Sequence, residues 1–541
     1  MQILLKNVSM QGGLLLLSAL FFQSWLSKPA GEALPSITGW LTVSQCVFLA
    51  AGLVFDKIQN RLGKYGLFPL VIFFTFAISW WMDQSALKVV AIGLAGLHGF
   101  LELLWFLLGR IKRGGGALLL LLLLIPILLG AYALQSPRVL ATGDTIEPLH
   151  ALFTAVSAVT VTGLTVIDVS STFSSEGQWI LLILIQMGGL GAISLFLLFM
   201  SFLGDGLGLR QGRAVREAMD GIDPASLKFM VGTIFLTTLV FEICGFLLLT
   251  LTRWNETGHW SLSFDDLFHS ISAFCNAGFS LQADSLASMD FYSTMILAFL
   301  IIIGGLGFPV FKELYRRIQS RSKRIGTHVY LSVGMSSLLW IGGTALLILG
   351  GLGYESLFWS ITARTAGFSI GPMDALTDFS IFVLIILMII GASPGSTGGG
   401  LKTSTIAILM IALVQQIRGR KQVQLLKRAL SNTLVRSAMV LTVVYVSAWI
   451  LLSGILHLTE SEALDSGQLS QQQLLFEATS ALGTVGLSLD STSLISEQGL
   501  WFLMAGMILG RIGPLAVIVI LASLPHGQSR AERPEAKVML G

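Results

Sequence analysis

A short polar segment occurs four times in this sequence, each time between two long apolar runs. Every copy has a Phe, then Ser or Thr followed by Ala, then a single Gly followed by Leu or Phe. A membrane-spanning helix needs about 20 apolar residues, so each unit is typical of a helix, a re-entrant loop and a second helix. The copies read HALFTAVSAVTVTGLT (150–165), DLFHSISAFCNAGFS (266–280), SLFWSITARTAGFS (356–369) and LLFEATSALGTVGLS (474–488).

Composition agrees with this pattern. The 541 residues are 54% hydrophobic and 12% charged, whereas soluble domains average about 25% charged residues. A soluble enzyme is excluded, because it would expose large apolar patches to water. Irregular backbone is tolerated at membrane depth only where it lines a watery cavity or is buried in protein. The sequence therefore predicts an all-α polytopic membrane protein with four parallel helix–pore loop–helix repeats around a central pore.

The repeats divide the chain, and the charges orient it. Basic residues such as Lys312, Arg317 and Arg420 lie in the linkers between repeats, which the positive-inside rule places in the cytoplasm. The acidic residues of the pore-loop side are either a solvated surface or a vestibule that concentrates cations. We expect a multi-pass protein of the inner (cytoplasmic) membrane. Its predicted parts are 1–113, an N-terminal extension with four transmembrane helices; 114–209, 210–318, 319–420 and 421–525, pore repeats one to four; and 526–541, a cytoplasmic tail.

The polar segments carry the chemistry of the predicted pore. A cation that crosses a membrane exchanges its hydration shell for protein oxygens, and backbone carbonyls suit this role. Glycine reaches the required backbone angles without a Cβ penalty, and the carbonyl end of the preceding short helix favours a cation. The candidate selectivity-filter residues are Thr160, Val161, Thr162 and Gly163; Asn276, Ala277 and Gly278; Thr365, Ala366 and Gly367; and Thr484, Val485 and Gly486.

These loops resemble those of a known transporter superfamily. The segments TVTGLT, CNAGFS, RTAGFS and TVGLS look like the filter loops of the Trk/Ktr/HKT superfamily. The stretches GASPGSTGGGLKTST (391–405) and GRIGPL (510–515) are similar to the Ktr/Trk membrane subunit, and the resemblance covers about residues 115–523. It implies potassium uptake, with Gly163 as the first-loop glycine that goes with potassium preference. The alternative is a sodium-conducting or poorly selective transporter of the same fold.

The resemblance also implies that the broken helix of the third repeat is an intramembrane gate beneath the filter. Proline removes a backbone donor and glycine abandons helical order, so the residues themselves favour a break; a purely structural kink is the alternative. The resemblance implies that Arg511 contacts this gate, and the alternative is that it extends to the cytoplasmic face. Lys402 either lies near the inner side of the pore or extends to the same face. A phosphate-binding loop is excluded, because Leu401 stands where its Lys should be. The gate candidates are Gly391, Ala392, Ser393, Pro394, Gly395, Ser396, Thr397, Gly398, Gly399, Gly400, Lys402 and Arg511.

Partners follow from the resemblance, and rival functions fail on the residues. The resemblance implies a homodimer with one pore per subunit, seated on a separate cytosolic ring of nucleotide-binding regulatory subunits. We expect potassium in the pore, surrounding membrane lipid, no tightly bound cofactor and no nucleic acid. A transporter of organic solutes would carry charges at the midplane, but the filter segments lack charge except Arg364. An intramembrane enzyme would need a catalytic pair at membrane depth, and the repeats contain none, so we expect no enzyme.

Overall fold

The computed structural model describes residues 115–143, 145–191, 224–320, 326–420, 422–425 and 428–522. The predicted N-terminal extension (1–113) and the tail (526–541) lie outside the described residues. The prediction of a mainly helical protein is confirmed. One exception is a minimal antiparallel hairpin, in which β1 (Gln424–Leu425) pairs with β2 (Arg428–Ala429) in the linker before the fourth unit.

The helices follow one order four times: a long helix, a short helix, a loop and a second long helix. The linkers between the units are less regular. The predicted boundary at residue 318 lies inside the eighth helix. The first two units contain α1 (Gly115–Leu134), α2 (Pro148–Thr160), α3 (Val169–Thr172), α4 (Ser175–Leu190), α5 (Pro224–Thr257), α6 (Phe264–Cys275), α7 (Phe291–Leu306) and α8 (Phe308–Ser320).

The third and fourth units are built from the remaining helices. The mainly apolar stretch 379–416 forms two helices, α11 and α12, because the glycine-rich segment between them is not helical. The elements are α9 (Thr327–Leu349), α10 (Ser356–Thr362), α11 (Asp378–Ile389), α12 (Thr403–Ile417), α13 (Asn432–Thr459), α14 (Ser461–Asp465), α15 (Gln471–Gly483) and α16 (Glu497–Ala522).

Several of these helices suit a membrane by length and composition. Within the described residues, Gly232–Asn255, Thr327–Leu349 and Asn432–Thr459 are long and apolar enough to cross a bilayer. Helices α7 and α8 pass the same test together, but they meet at an angle of 86°. Large apolar side chains such as Ile341 (71% exposed) and Ile450 (59% exposed) point outward from these helices, as lipid-facing positions require.

Two of the four short helices that precede the loops have side-chain caps, and most residues of all four are buried. Ser263 caps α6 by accepting from the Asp265 backbone N–H, and Ser470 and Gln473 form a capping box at α15. The phenylalanine shared by the four polar segments lies in each short helix and is at most 1% exposed: Phe153, Phe268, Phe358 and Phe476. The repeated Phe therefore packs each short helix into the interior of the protein.

Glycines let the second long helices touch the ends of the short ones. A Cβ on Gly188, Gly304 or Gly510 would collide with a carbonyl oxygen near the end of α2, α6 or α15 respectively. The carbonyl groups that the glycines approach in this way belong to Val159, Phe274 and Leu482. The second helices also lose helical form soon after these glycines. Gly191 and Gly307 follow the last residues of α4 and α7, and α16 breaks at Gly513; all three glycines have positive φ.

We predict that Gly510→Ala destabilises the protein, because the new Cβ would overlap the Leu482 carbonyl oxygen in the adjacent backbone. Overpacking of this kind costs about 1–3 kcal/mol. The measurement is the thermal unfolding midpoint of the detergent-solubilised protein. The matched control is Gly454→Ala in α13, where nothing lies within 4 Å of an added Cβ; it should be neutral or stabilising by up to about 1 kcal/mol. Equal midpoints for both variants would contradict this account of the packing.

Candidate functional site

The four glycines of the polar segments meet in a closed ring. A Cβ built on Gly163 would lie 3.1 Å from the Gly278 Cα, and one on Gly278 would lie 3.0 Å from the Gly367 Cα. The same construction on Gly367 lies 3.0 Å from the Gly486 Cα, and on Gly486 it lies 3.1 Å from the Gly163 Cα. Each loop thus touches the next one in chain order, and the fourth touches the first.

Peptide oxygens lie in the same ring. The built Cβ of each glycine would also overlap the carbonyl oxygen of the residue that precedes the next glycine. A side chain at any of the four positions would therefore displace a backbone carbonyl, so only glycine fits. The four oxygens belong to Thr162, Ala277, Ala366 and Val485.

The backbone at the ring is strained. Two residues before each glycine, Val161, Asn276, Thr365 and Thr484 have φ between 49° and 69°. Asparagine tolerates this left-handed region, but for the β-branched Val and Thr it is a genuine outlier that costs about 1–3 kcal/mol per residue. The sequence pointed to glycine alone as the source of unusual angles, whereas the structure places one further left-handed residue in every loop.

The hydroxyl of the shared Ser/Thr-Ala pair braces each loop from behind. Ser157 Oγ and Ser480 Oγ each accept from the backbone N–H of the ring glycine, Gly163 and Gly486, at 3.0 Å. In the other two loops the hydroxyl donates instead to the carbonyl of the residue after the glycine. Ser272 Oγ lies 2.8 Å from the Phe279 oxygen, and Thr362 Oγ1 lies 2.7 Å from the Phe368 oxygen. The repeated hydroxyl therefore has a geometric function that its spacing alone did not reveal.

The glycine-rich stretch between α11 and α12 lies directly beside the ring. A Cβ on Gly398 would lie 3.0 Å from the Thr365 Cβ, and one on Gly399 would lie 3.1 Å from the Thr484 Cγ2. Both threonines are left-handed residues of the ring loops, which are the four segments that carry the ring glycines. Within the described part of the chain, the buried Thr484 Oγ1 has no hydrogen-bond partner. We name residues 390–402 the intramembrane loop, after the position that the sequence predicts for it.

The two ends of the intramembrane loop are joined at its base. Ile390 and Leu401 form a parallel bridge. The Thr403 backbone N–H donates to the Ala392 oxygen at 3.3 Å, and the Ala392 N–H donates to the Gly399 oxygen at 3.4 Å. The loop is therefore closed where it leaves and re-enters the helices.

The tip of the loop is attached to the junction of α7 and α8. Backbone N–H groups of Ser393 and Thr397 donate to the Gly305 and Gly304 oxygens at 3.1 and 3.3 Å, and the Phe308 N–H donates to the Gly395 oxygen at 3.0 Å. The 86° bend between α7 and α8 is thus bonded to the loop. A movement of α8 would pull on the tip.

Cationic side chains bind the loop carbonyls. The Arg511 guanidinium donates to the Thr397 oxygen and to the Gly188 oxygen. Lys402 Nζ lies 2.7 Å from the Gly398 oxygen and 3.3 Å from the Gly399 oxygen. Both side chains turn toward the loop rather than toward a membrane surface.

Several acidic residues on the side predicted to carry the pore loops are engaged in structural contacts. Asp265 and Asp266 pair with Arg253 at 3.0 and 2.6 Å, and Asp290 caps α7. Partial burial raises the pKa of Asp168, but hydrogen bonds from Ser171 and Ser170 outweigh it and hold the pKa below its ordinary value. These carboxylates stabilise helix starts, so a cation-concentrating vestibule would depend on the remaining acidic side chains.

Comparison with known proteins decides the family. The sequence profile of the TrkH family, described as a cation transport protein, matches residues 132–335 and 349–531. The chain belongs to this family. It is a multi-pass membrane protein of a transporter class rather than of an enzyme class, and the predicted membership of the Trk/Ktr group is confirmed.

Named TrkH-family proteins resemble the chain over most of their length. It is 35% identical to the Ktr system potassium uptake protein B of Vibrio alginolyticus, over 76% of this chain and 92% of that protein. It is 31% identical to the potassium/sodium uptake protein NtpJ of Enterococcus hirae, over 77% of this chain and 95% of that protein. The crystal structure of the potassium transporter TrkH from Vibrio parahaemolyticus superposes with a TM-score of 0.60 at 18% identity, covering 90% of this chain and 97% of that one.

In this TrkH-family chain the structure brings the residues proposed from the sequence into one region. The ring contains the four glycines and their neighbours, the intramembrane loop lies against it, and Lys402 and Arg511 bond to the loop. Sequence reasoning named Val161, Thr365 and Thr484 but missed their left-handed conformation, and it missed the bracing hydroxyls and the contacts of Arg364. The repeated Ser/Thr-Ala pair was a signal for the braces, whereas the contacts of Arg364 join positions that are distant in sequence.

We predict that Ser480→Ala destabilises the protein, because the buried Gly486 N–H loses its acceptor. An unsatisfied buried donor costs about 1–3 kcal/mol. The thermal unfolding midpoint in detergent measures the effect. The matched control is Ser453→Ala, since among the described residues the Ser453 hydroxyl has no hydrogen-bond partner. A loss of stability no larger than that of the control would rule out the bracing role.

Proposed function

We propose that this protein takes up potassium across the inner membrane through a central pore whose selectivity filter is the four-glycine ring. The observation that carries the proposal is the closed contact of Gly163, Gly278, Gly367 and Gly486, with a peptide oxygen beside each of them. Such a ring offers a dehydrated cation several neutral oxygens at once. The four candidate filter segments are its proposed ion-binding residues, and no cofactor is needed.

The strained backbone supports this assignment. Energy stored in left-handed Val161, Thr365 and Thr484 must be offset by packing elsewhere, and such strain clusters at functional sites. A positive φ at two positions of each loop excludes helix and strand, so the peptide groups of the loop lack the regular partners of those structures. Among the described residues, the carbonyl oxygens of Thr162, Ala277, Ala366 and Val485 accept no backbone hydrogen bond, so they are free to bind an ion.

Potassium is favoured over sodium by resemblance and by the relatives. The first-loop residue is Gly163, and relatives from Vibrio alginolyticus and Bacillus subtilis are named potassium uptake proteins, the latter at 32% identity. The alternative, a sodium-conducting or poorly selective transporter, is favoured by the Enterococcus hirae relative, which is named a potassium/sodium uptake protein. A flux assay with both ions separates the two.

The intramembrane loop is the proposed gate. It packs against Thr365 and Thr484, two residues before the ring glycines, and it has two cationic side chains bound to its carbonyls. A fixed positive charge near a narrow path repels a permeating cation, and the repulsion is strong where water is scarce. The loop would therefore oppose conduction both sterically and electrostatically until its tip moves.

The assembly is proposed from the resemblance. Four pore repeats at 114–209, 210–318, 319–420 and 421–525 would form one pore in each subunit of a homodimer. A separate cytosolic ring of nucleotide-binding subunits would control it. The hydrogen bond from the Phe308 N–H to the Gly395 oxygen would connect the cytosolic subunits mechanically to the gate through α8.

The test of the function is ion uptake by the purified full chain in proteoliposomes, together with rescue of a potassium-uptake-deficient bacterium at low potassium. The bacterial assay is run with and without a co-expressed regulatory subunit. We expect potassium uptake that exceeds sodium uptake, and Gly163→Ser should lower this preference because the added side chain displaces the Ala277 oxygen from the ring. Absence of cation flux from correctly folded wild-type protein would refute the proposal. Unchanged selectivity in the Ser variant would refute the filter assignment.

We predict that shortening the segment 395–400 raises potassium flux per molecule, because the loop then fills less of the space beside Thr365 and Thr484. Arg511→Gln should act in the same direction, since it removes the bonds to the Thr397 and Gly188 oxygens. Proteoliposome flux normalised to folded protein is the measurement. Arg436→Gln, a change at an exposed arginine of α13, is the control and should leave flux unchanged. A fall or no change on shortening would remove the gate.

A further inference from the structure

Arg364 is the charged residue of the four ring loops, and it occupies a position where the other loops are uncharged. It lies three residues before Gly367. The corresponding positions before Gly163, Gly278 and Gly486 hold Thr160, Cys275 and Gly483. The third loop is also the one whose following helix is interrupted by the intramembrane loop. The two departures from four-fold regularity therefore fall in the same unit.

The side chain of Arg364 is 4% exposed and extends away from the ring toward α9. Its guanidinium carbon lies 5.2 Å from the centre of the Trp340 ring, and its Nη1 donates to the Ser336 oxygen at 3.4 Å. Trp340 stands four residues after Ser336, so both lie on one face of α9. Among the ion pairs of the described residues, none includes Arg364.

One end of this guanidinium binds the base of the intramembrane loop. Nη2 donates to the Gly391 oxygen at 3.2 Å and to the Ser336 Oγ at 3.3 Å. Gly391 is itself packed against Gly399 and Gly400, where the two ends of the loop meet. The arginine therefore bonds the loop at its base, whereas Arg511 bonds it at Thr397, near its tip.

Hydroxyl groups extend the contact across the base. Ser336 Oγ lies 3.4 Å from Ser393 Oγ, which lies 3.1 Å from Thr403 Oγ1. Because Ser336 Oγ accepts from Arg364, its one proton is available to Ser393, whose own proton is available to Thr403. The chain of four groups joins the third ring loop to both ends of the intramembrane loop.

The cost of this arrangement indicates that it is not simple packing. A buried charge without a carboxylate partner is expensive, and Arg364 Nε has no partner among the described residues. An apolar side chain would fill the space beside Trp340 at lower cost. Ionisable residues inside membrane-spanning regions are expensive and commonly mark functional positions.

We propose that Arg364 is a positioning residue that fixes the third filter loop to the base of the intramembrane loop, so that filter geometry and gate position are held together. This inference rests on the proposed function. With the base fixed by Arg364 and the tip held by Arg511 and α7, opening is a movement of the tip about a stationary base. Loosening the base then changes ion selectivity, because the adjacent Thr365 and Gly367 lose their anchor.

The test measures potassium and sodium flux per folded molecule in proteoliposomes for wild type, Arg364→Lys and Arg364→Gln. Loss of charge-assisted hydrogen bonds in the Gln variant should lower the potassium-to-sodium flux ratio by about tenfold. The Lys variant keeps the charge but not the planar fork, so its ratio should fall less. A merely structural role would reduce the amount of folded protein and leave the ratio of the remaining molecules unchanged.

A second pair of variants keeps the inference testable if the Gln variant does not fold. Ser336→Ala and Ser393→Ala each break the hydroxyl chain and retain Arg364. Each should lower the flux ratio, and the double variant should be no worse than the stronger single one, because both changes interrupt one chain. Gly454→Ala is the control, which should leave the ratio at its wild-type value.

The outcomes separate this inference from the function on which it rests. Wild-type protein without cation flux would refute the function itself. If Arg364→Lys and both serine variants conduct as fast as wild type and with the same selectivity, the role of Arg364 alone is refuted. Additive losses in the serine double variant would show that the hydroxyls act independently, which also contradicts the proposal.

Discussion

Four peptide backbones touch one another at the glycine ring with no side chain between them, and the rest of the described structure is arranged to permit that contact. Because the ring glycines have no side chains that could fix the loops by packing, other groups must hold each loop in position. The hydroxyl braces at Ser157, Ser272, Thr362 and Ser480 supply this support, and the buried phenylalanines fix the short helices that carry them. The second long helices then approach closely enough to enclose the ring, since they too present glycine.

The same reliance on backbone groups explains why three cationic side chains bond to the intramembrane loop beside the ring. An interrupted helix such as α11–α12 leaves carbonyl oxygens without intrahelical partners, and in a membrane those oxygens must find donors inside the protein. Lys402, Arg511 and Arg364 provide them. A donor that is also a fixed positive charge opposes the passage of a cation. In the proposed function, satisfying the loop carbonyls and closing the path are two consequences of the same contacts.

Near-symmetry and its violation have different roles in this chain. The four ring loops agree in length to within one residue, and each has a bracing hydroxyl, because a closed ring requires equivalent geometry at each corner. The interruption between α11 and α12 and the charge at Arg364 belong to one unit, and Arg511 belongs to the unit that closes the ring. In the proposed function, the regular part of the ring selects the ion and the irregular part controls it.

The sequence by itself determined the helical membrane class, the four polar segments, the glycines and the break in the third unit. These are local properties: apolar length, a repeated spacing, and residues such as Pro394 and Gly395 that cannot continue a helix. It could not determine that Val161 and Thr484 would be left-handed, that Thr397 would bond to Arg511, or that Arg364 would reach Gly391. Those contacts join residues far apart in the chain, and strain at a β-branched residue exists only because surrounding packing enforces it. Tertiary structure decided them because their energy comes from neighbours that no local pattern specifies.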